Sequence, residues 1–213
     1  MSGLILKDLY VMKSMGRSYV LMFAVFGVLT AMGLYDGMSF VSFLMVMMLV
    51  MLPINTFAYD EQAKWDRYAV ATPAGRKGVV GSKYLFTALL LVVGLVLCAV
   101  LQTGMFLFGK HGTDTLPEML ATAVSVVSVG GMVNALLLPL IFKFGTQKSR
   151  IFLMICVGLI VAGVVILLGV ISDAGVDLSR AMGVAAGLFP ILCVGLLVIS
   201  YFISLGIYGK KEL

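Results

Sequence analysis

The stretch Tyr59–Gly78, YDEQAKWDRYAVATPAGRKG, separates long apolar segments and differs sharply from them in composition. It holds three acidic and four basic residues, in a protein of 213 residues that is 62% hydrophobic and only 12% charged. The apolar segments on both sides have the length of membrane-spanning helices. This concentration of charge predicts a polar connection between two membrane helices.

The composition of the whole chain indicates a protein whose solvent is lipid. Its mean hydropathy is +1.13, whereas soluble domains are about 45–50% apolar and about 25% charged. A soluble core does not account for the excess, because a small domain leaves much of its surface exposed. The predicted fold class is therefore an all-α integral membrane protein, and the lack of polar and apolar alternation argues against a β-barrel.

Six charge-free runs have, or nearly have, the length of about 20 residues that a helix needs to cross a bilayer. They are Ser18–Tyr35, Gly37–Tyr59, Tyr84–Gly109, Met119–Phe142, Ile151–Ser172 and Ala181–Gly209. The runs predict one transmembrane domain over residues 1–213 with six helices. Pro190 lies nearer the middle of the last run, and an interior proline removes a helical hydrogen bond, so the sequence leaves open one kinked helix or two helical pieces there.

The charges between the runs predict the orientation of the chain. With six helices, both termini lie on one side, and that side receives thirteen of the fifteen Lys and Arg residues. Only Lys110 and Arg180 fall on the other side. Because cytoplasmic loops carry an excess of Lys and Arg, both termini are predicted to be cytoplasmic, in a cell membrane. The net charge of +5 then reflects topology and attraction to anionic lipid, so it does not indicate a nucleic-acid partner.

Residues 1–17 are predicted to form an amphipathic helix that lies in the membrane interface. The apolar side chains that share one broad helical face are Leu4, Ile5, Leu9, Met12 and Met15. Lys7 and Arg17 project elsewhere. The expected role of this helix is to anchor the first span.

The six runs contain no Asp, Glu, Lys, Arg or His. Ionisable groups inside a membrane are costly and are retained where ions or protons are handled, so their absence argues against an ion-coupled transporter. An intramembrane hydrolase would also need such groups. The three cysteines lie in apolar runs at long spacings, which indicate neither disulfides nor a metal site. The chain is therefore predicted to be no enzyme and to have no cofactor of its own.

Neutral polar residues within the runs are candidates for lining a transport path. The four candidates are Asn55, Gln102, Ser128 and Asn134. Such groups also form hydrogen bonds between membrane helices, so the sequence leaves both interpretations open.

The charged stretch is predicted to be cytoplasmic and to form a helix at about Asp60–Ala71. Asp60 and Lys64 are four residues apart with the acid first, which favours a helical ion pair. Pro73 ends this helix, and Gly75 permits a turn. By physical chemistry alone, the segment suits two roles equally: an interfacial helix held by its aromatic side chains, or a docking element for a cytoplasmic protein.

The string DEQAKWDRYAVATPAGRKGVVGSKYL, residues 60–85, resembles the signature loop of small six-span permeases of type-2 ABC exporters. The positions that carry the resemblance are Asp60, Trp65, Pro73, Arg76, Lys77, Val80, Lys83 and Tyr84. The opening LILKDLYVMK, residues 4–13, also resembles the N-terminal segment of this group. Within this group, the chain resembles the permease of phenol-soluble-modulin exporters. It departs from the usual pattern of that subgroup at Thr72, Ala74 and Gly75.

The resemblance implies the permease subunit of a bacterial ABC exporter, without an ATPase site of its own. Two permeases, identical or related, would pair in the membrane, and two cytoplasmic ATPase subunits would bind ATP and Mg and dock on the coupling segment, residues 60–76. The implied cargo is amphipathic or hydrophobic peptides. The residues expected to couple to the ATPase are Asp60, Glu61, Lys64, Trp65, Arg67, Tyr68, Arg76 and Lys77.

An alternative of the same size and span number is the substrate-binding membrane subunit of a vitamin uptake, or energy-coupling factor, transporter. Such subunits dock on a membrane scaffold through small residues in their helices and do not need a charged loop after the second span. Direct binding of an ATPase to residues 60–76 distinguishes the exporter from this alternative.

Overall fold

The computed structural model describes residues 2–31, 51–70, 75–107, 115–156, 158 and 178–210. All regular secondary structure in these ranges is helical, which confirms the all-α prediction for the described part of the chain. The helices are α1 (Ser2–Ala31), α2 (residues 51–62), α3 (Trp65–Val70), α4 (Gly75–Leu107), α5 (Leu116–Phe144), α6 (residues 146–156) and α7 (Leu178–Gly209).

Three of the described helices are long and apolar enough to cross a membrane. The segments are Gly75–Gly104 in α4, Leu116–Phe144 in α5 and Gly187–Gly209 in α7. Each exceeds the length of about 20 residues that covers the hydrocarbon core of a bilayer. They correspond to the predicted third, fourth and sixth runs. Parts of the other three runs fall in residues 32–50 and 159–177, outside the described residues, so six spans remain a prediction.

The helices α4, α5 and α7 form the packed centre of the described structure, and α5 and α7 share the most extensive contact. Buried side chains at this centre include Val80 of α4, Leu137 and Leu138 of α5 and Tyr208 of α7. At Gly131 of α5, an added Cβ would clash with Cys193 Sγ of α7 and lie 3.1 Å from Leu91 Cδ1 of α4. A residue without a side chain is therefore what allows the three helices to approach here.

A proline inside α5 is accommodated by a side chain from α7. Pro139 has no N–H to donate to the carbonyl of Ala135, four residues earlier. Ser200 supplies the missing donor, because its Oγ donates a hydrogen bond to the Ala135 carbonyl. A freed carbonyl in a membrane helix needs such a replacement, since lipid offers no donor.

Ser200 also belongs to a chain of hydroxyl groups that links α4 to α7. Tyr84 Oη is hydrogen-bonded to Ser200 Oγ and lies 2.8 Å from Ser204 Oγ. Each hydroxyl has one proton, and that of Ser200 goes to Ala135, so Tyr84 donates to Ser200 and accepts from Ser204. We name this path from Ser204 through Tyr84 and Ser200 to the Ala135 carbonyl the hydroxyl chain. It joins all three central helices.

Of the two alternatives for the last run, the structure has one continuous helix and not two helical pieces. α7 is one helix through Pro190, and Pro53 likewise lies within the helical residues of α2. Interior prolines are tolerated in membrane helices because neighbouring groups and small local adjustments satisfy the freed backbone.

α1 is a single helix of 30 residues, and it does not end where the predicted interfacial helix, residues 1–17, meets the first run. It contains no proline, and an interior glycine such as Gly16 costs only about 1 kcal/mol relative to alanine. The predicted boundary between residues 17 and 18 is therefore not a helix end.

The charged stretch does not form the single helix predicted at about Asp60–Ala71. α2 continues through residue 62, Ala63 and Lys64 form a turn, and α3 begins at Trp65. Lys64 has a φ of +50°, which a continuous right-handed helix does not allow. α4 then begins at Gly75, whose φ of +61° agrees with the expected turn, and it starts well before the predicted third run.

Candidate functional site

Four charged side chains meet where α1, α2 and α4 come together. We name Lys7, Asp8, Asp60 and Lys83 the charged junction. Lys83 Nζ lies 2.8 Å from Asp8 Oδ1 and 2.6 Å from Asp60 Oδ2. Lys7 Nζ contacts Asp60 Oδ1 and lies 3.5 Å from Asp8 Oδ1. Each carboxylate therefore contacts both ammonium groups, and the formal charges of the junction cancel.

Burial makes this pairing necessary. The side chains of Asp8 and Lys83 are only 1% and 6% exposed to solvent. A charge removed from water is destabilising unless an opposite charge and hydrogen bonds compensate it. Asp8 Oδ2 is buried without a hydrogen-bond partner in the described part of the chain, so the ion pairs at its Oδ1 atom provide the compensation.

Aromatic rings cover both ammonium groups of the junction. Lys7 Nζ lies 4.8 Å from the centre of the Trp65 ring, and Lys83 Nζ lies 4.8 Å from the centre of the Phe57 ring. A cation within about 6 Å of a ring centre is attracted to the face of the ring. Trp65 is thereby held against the junction, on the inner side of α3.

The structure corrects the predicted ion pair of Asp60 with Lys64. The ion pairs of Asp60 are with Lys7 of α1 and Lys83 of α4, because the turn at Lys64 ends the helix that the predicted pair requires. Sequence reasoning did not include Lys7, Asp8 or Lys83 among the site residues. One signal was available: at 100° per residue, Asp8 lies within the apolar face of α1, where an acid indicates a buried partner.

A second group of side chains, near the junction in sequence, is exposed to solvent. We name Lys64, Tyr68 and Lys77, all exposed, the coupling surface. Tyr68 is 66% exposed, and its ring centre lies 6.4 Å from that of Trp65. Arg67 lies in α3 between these aromatic residues, but its side chain falls outside the described residues. The coupling segment therefore has a buried, charge-paired side and an exposed side.

Arg76, another predicted coupling residue, contacts α7 within the same chain. Its Nη1 atom donates a hydrogen bond to the carbonyl of Gly209, the last residue of α7. Carbonyls at the end of a helix lack intrahelical donors, and a basic side chain satisfies them. Arg76 therefore connects the start of α4 to the end of α7.

Glu61 contacts the turn between α5 and α6. Its Oε2 atom accepts a hydrogen bond of 2.9 Å from the backbone N–H of Thr146 and a second from the Thr146 hydroxyl. The family resemblance implied that Glu61 couples to the ATPase, and that role stays a prediction. Its contact with Thr146, in the turn between α5 and α6, was not predicted.

The four residues that were candidates for lining a transport path all lie within helices. Gln102 Nε2 of α4 lies 3.5 Å from Thr122 Oγ1 of α5, while its Oε1 atom is buried without a partner among the described residues. Ser128 donates to the carbonyl of Val124 in its own helix at 2.7 Å. Asn134 is fully buried, and Asn55 is half-buried. A path lined by these residues stays a prediction.

The described residues include no group of three or more His, Cys, Asp or Glu side chains that could hold a metal ion. The cysteines Cys98, Cys156 and Cys193 are free thiols.

A family model described as "ABC-2 family transporter protein" matches residues 3–209. The chain belongs to this family. It is thus a membrane permease of an ABC transporter, and the family implies association with an ATPase subunit. No curated protein and no solved structure matches the chain.

Membership in the ABC-2 family confirms the broader part of the resemblance seen in residues 60–85. The match extends from α1 to the end of α7, so it includes both the charged junction and the coupling surface. The narrower likeness to permeases of phenol-soluble-modulin exporters stays a prediction.

Proposed function

We propose that this ABC-2 permease serves an ATP-driven exporter, and that a cytoplasmic ATPase docks on its coupling surface. The observation that carries the proposal is the two-sided coupling segment. Asp60 and Trp65 face inward at the junction, while Lys64 and Tyr68 face outward. An aromatic side chain beside charged groups is a common composition for a protein interface.

The proposed mechanism transmits motion through rigid contacts. When two ATPase subunits close on ATP and Mg, they push on α3, which lies between α2 and α4. Because Asp60 is paired with Lys83 and Lys7, the push reaches α4 and α1 through the same ion cluster. Rigid-body movement of this kind is a common way to convert nucleotide binding into a change at a distant site.

The proposed assembly contains two permease subunits, identical or related, and two ATPase subunits. Each permease has six spans with both termini in the cytoplasm of a bacterial cell. The excess of Lys and Arg on one side of the six runs supports this orientation. In this topology the coupling segment, the turn between α5 and α6, and both termini lie on the ATPase side.

The proposed cargo is amphipathic or hydrophobic peptides moved outward. The support is the resemblance of residues 60–85 to permeases of phenol-soluble-modulin exporters, together with six runs that contain no ionisable side chain. An apolar interior without fixed charges suits a cargo that is itself apolar on one face.

The docking proposal is tested by capture of the ATPase with the tagged full-length permease, measured as vanadate-sensitive ATP hydrolysis that copurifies in detergent. Tyr68→Ala and Lys64→Glu change the coupling surface without touching the junction. We expect Tyr68→Ala to weaken capture about tenfold or more, as buried tyrosines in interfaces often do. The matched control is Tyr10→Ala, since Tyr10 of α1 is 64% exposed and lies outside the segment.

Asp60 and Trp65 are unsuitable for this test, because their substitution also disturbs buried contacts. Equal capture by Tyr68→Ala, Lys64→Glu and the Tyr10 control contradicts docking on the coupling surface. Capture of the ATPase only through another membrane protein contradicts the exporter and supports the vitamin uptake alternative.

A further inference from the structure

We propose that Glu61 is a positioning residue that connects the coupling segment to α6, so that movement at the coupling surface also moves the start of the predicted fifth span. This inference rests on the proposed function, and it assigns Glu61 a contact within the permease instead of a contact with the ATPase.

The carboxylate of Glu61 occupies the N-terminal end of α6. The first N–H groups of a helix have no partner within the helix, and they favour a negative charge. Glu61 accepts from the N–H of Thr146, the first residue of α6, at 2.9 Å, and from its hydroxyl. One side chain from α2 therefore performs the capping role that a residue next to the helix usually performs.

The turn between α5 and α6 has a backbone that allows this approach. Gly145 has a φ of +80°, a conformation that favours glycine, and its N–H donates to the Ile141 carbonyl at 2.9 Å to end α5. A Cβ at Gly145 would lie 2.7 Å from Glu61 Oε1. The turn thus needs glycine for its conformation and also for the space that the carboxylate occupies.

Glu61 lies immediately before the turn at Ala63 and Lys64 that leads into α3. The neighbouring Asp60 connects this point to α1 and α4 through the charged junction. Glu61 connects the same point to α6, through a separate pair of hydrogen bonds. Asp60 and Glu61 therefore form two attachments at neighbouring positions just before α3, and displacement of α3 is passed to α6 only while that of Glu61 is intact.

Hydrogen exchange of the full-length permease measures the static contact. In Glu61→Ala, we expect the amide of Thr146 to exchange about tenfold faster, the effect of losing one hydrogen bond to a charged group. Glu61→Gln keeps an acceptor oxygen at the same position and restores most of the protection. Gln62→Ala is the matched control, because Gln62 is an exposed neighbour in the same turn of α2.

The connection to α3 is measured in the permease–ATPase complex. Exchange in residues 146–156 is compared between the nucleotide-free complex and the complex trapped with ATP and vanadate. In the natural permease, we expect exchange in this segment to differ between the two states. Glu61→Gln and Gln62→Ala should keep this difference in exchange, and Glu61→Ala should lose it. The amount of copurified ATPase is expected to stay within about twofold of that of the natural permease in all these variants. This corresponds to less than half a kcal/mol of binding free energy.

Thr146→Val provides a second test that leaves Glu61 in place. It removes the hydroxyl donor but keeps the amide, so a smaller loss of protection is expected, with little further loss when it is combined with Glu61→Ala. Additive effects of the two substitutions contradict a shared contact.

Two outcomes separate this inference from the proposed function. Loss of ATPase capture in Glu61→Ala with unchanged exchange at Thr146 makes Glu61 a direct ATPase contact and overturns the inference. If the natural permease captures no ATPase, the proposed function is wrong and Glu61 has no role in transmission. Exchange of the Thr146 amide in the permease alone still decides whether Glu61 holds α6.

Discussion

The charged junction and the hydroxyl chain both join helices that are distant in sequence, but they do so with different chemistry. The junction uses four full charges at the meeting point of α1, α2 and α4. The hydroxyl chain uses two serines, one tyrosine and one backbone carbonyl inside the bundle of α4, α5 and α7. α4 takes part in both, with Lys83 in the junction and Tyr84 in the hydroxyl chain.

The difference shows how the two environments limit the side chains that can be used. Charges can be buried only where opposite charges meet them, so the junction depends on all its members together. Neutral hydroxyls are far less costly to bury, so the hydroxyl chain can lose Ser204, its terminal residue, with little loss of stability. The exception is Ser200, because the Ala135 carbonyl beside Pro139 has no helical donor of its own.

The largest loss of stability is expected for Asp60→Asn. It leaves Lys7 and Lys83 with a single carboxylate, that of Asp8. We expect the free energy of unfolding in mixed micelles to fall by about 3 kcal/mol, the lower end for a broken buried ion pair, because Asp8 remains. Adding Lys7→Gln restores the charge balance and should recover a large part of the loss. If the double variant is no more stable than Asp60→Asn, charge balance is not what stabilises the junction.

A loss of about 2 kcal/mol is expected for Ser200→Ala, since a buried carbonyl without a donor costs about 1–3 kcal/mol. Combining Pro139→Ala with Ser200→Ala supplies a backbone N–H to the Ala135 carbonyl and should reverse most of this loss. A double-mutant cycle, measured by unfolding in mixed micelles, gives the coupling between the two positions. Independent effects of the two substitutions would show that Ser200 does not compensate for Pro139.

Gly131→Ala is expected to lower the free energy of unfolding by about 1 kcal/mol, the lower end for overpacking, because the flexible Leu91 side chain can move. The cause is the clash of the new Cβ with Cys193 Sγ across the contact between α5 and α7. Cys193→Ala removes that sulfur. The double variant should therefore lose less free energy of unfolding than the two single variants lose in total. A strictly additive result would indicate that the helices separate freely at this point.

The smallest effect is expected for Ser204→Ala. Tyr84 then loses one donor but still donates to Ser200, so the loss is about 0.6 kcal/mol, the average for a hydrogen bond between membrane helices. The comparison of Ser204→Ala with Ser200→Ala, under the same unfolding conditions, sharpens the distinction between a terminal hydroxyl and one that satisfies a freed carbonyl. Equal losses would remove that distinction.

Particular residues show why some features were predictable. The apolar runs predicted helices at α4, α5 and α7, because the length and hydropathy of a membrane helix are properties of the local sequence. The turn at Gly75 was also expected, since glycine adopts a positive φ without strain. The break at Lys64 was missed, because a lysine with a φ of +50° has no local signal.

Contacts between distant segments explain the other differences. Asp60 was expected to pair with Lys64 four residues away, but it pairs with Lys7 and Lys83. The local preference for a pair four residues apart was overridden by partners that only the folded chain brings together. At Pro190 the sequence left open one helix or two pieces, and α7 is one helix.

The amino-acid sequence by itself determined that this protein is helical, is embedded in a membrane and carries one long polar segment. Hydropathy and the length of an apolar run are properties of neighbouring residues. Tertiary structure alone decided which charges neutralise each other, which serine satisfies the carbonyl beside Pro139 and which acid caps α6. Packing sets the distances involved, because most of these contacts join residues more than 50 positions apart along the chain: Lys7 with Asp60, Lys83 with Asp8, Glu61 with Thr146 and Ser200 with Ala135.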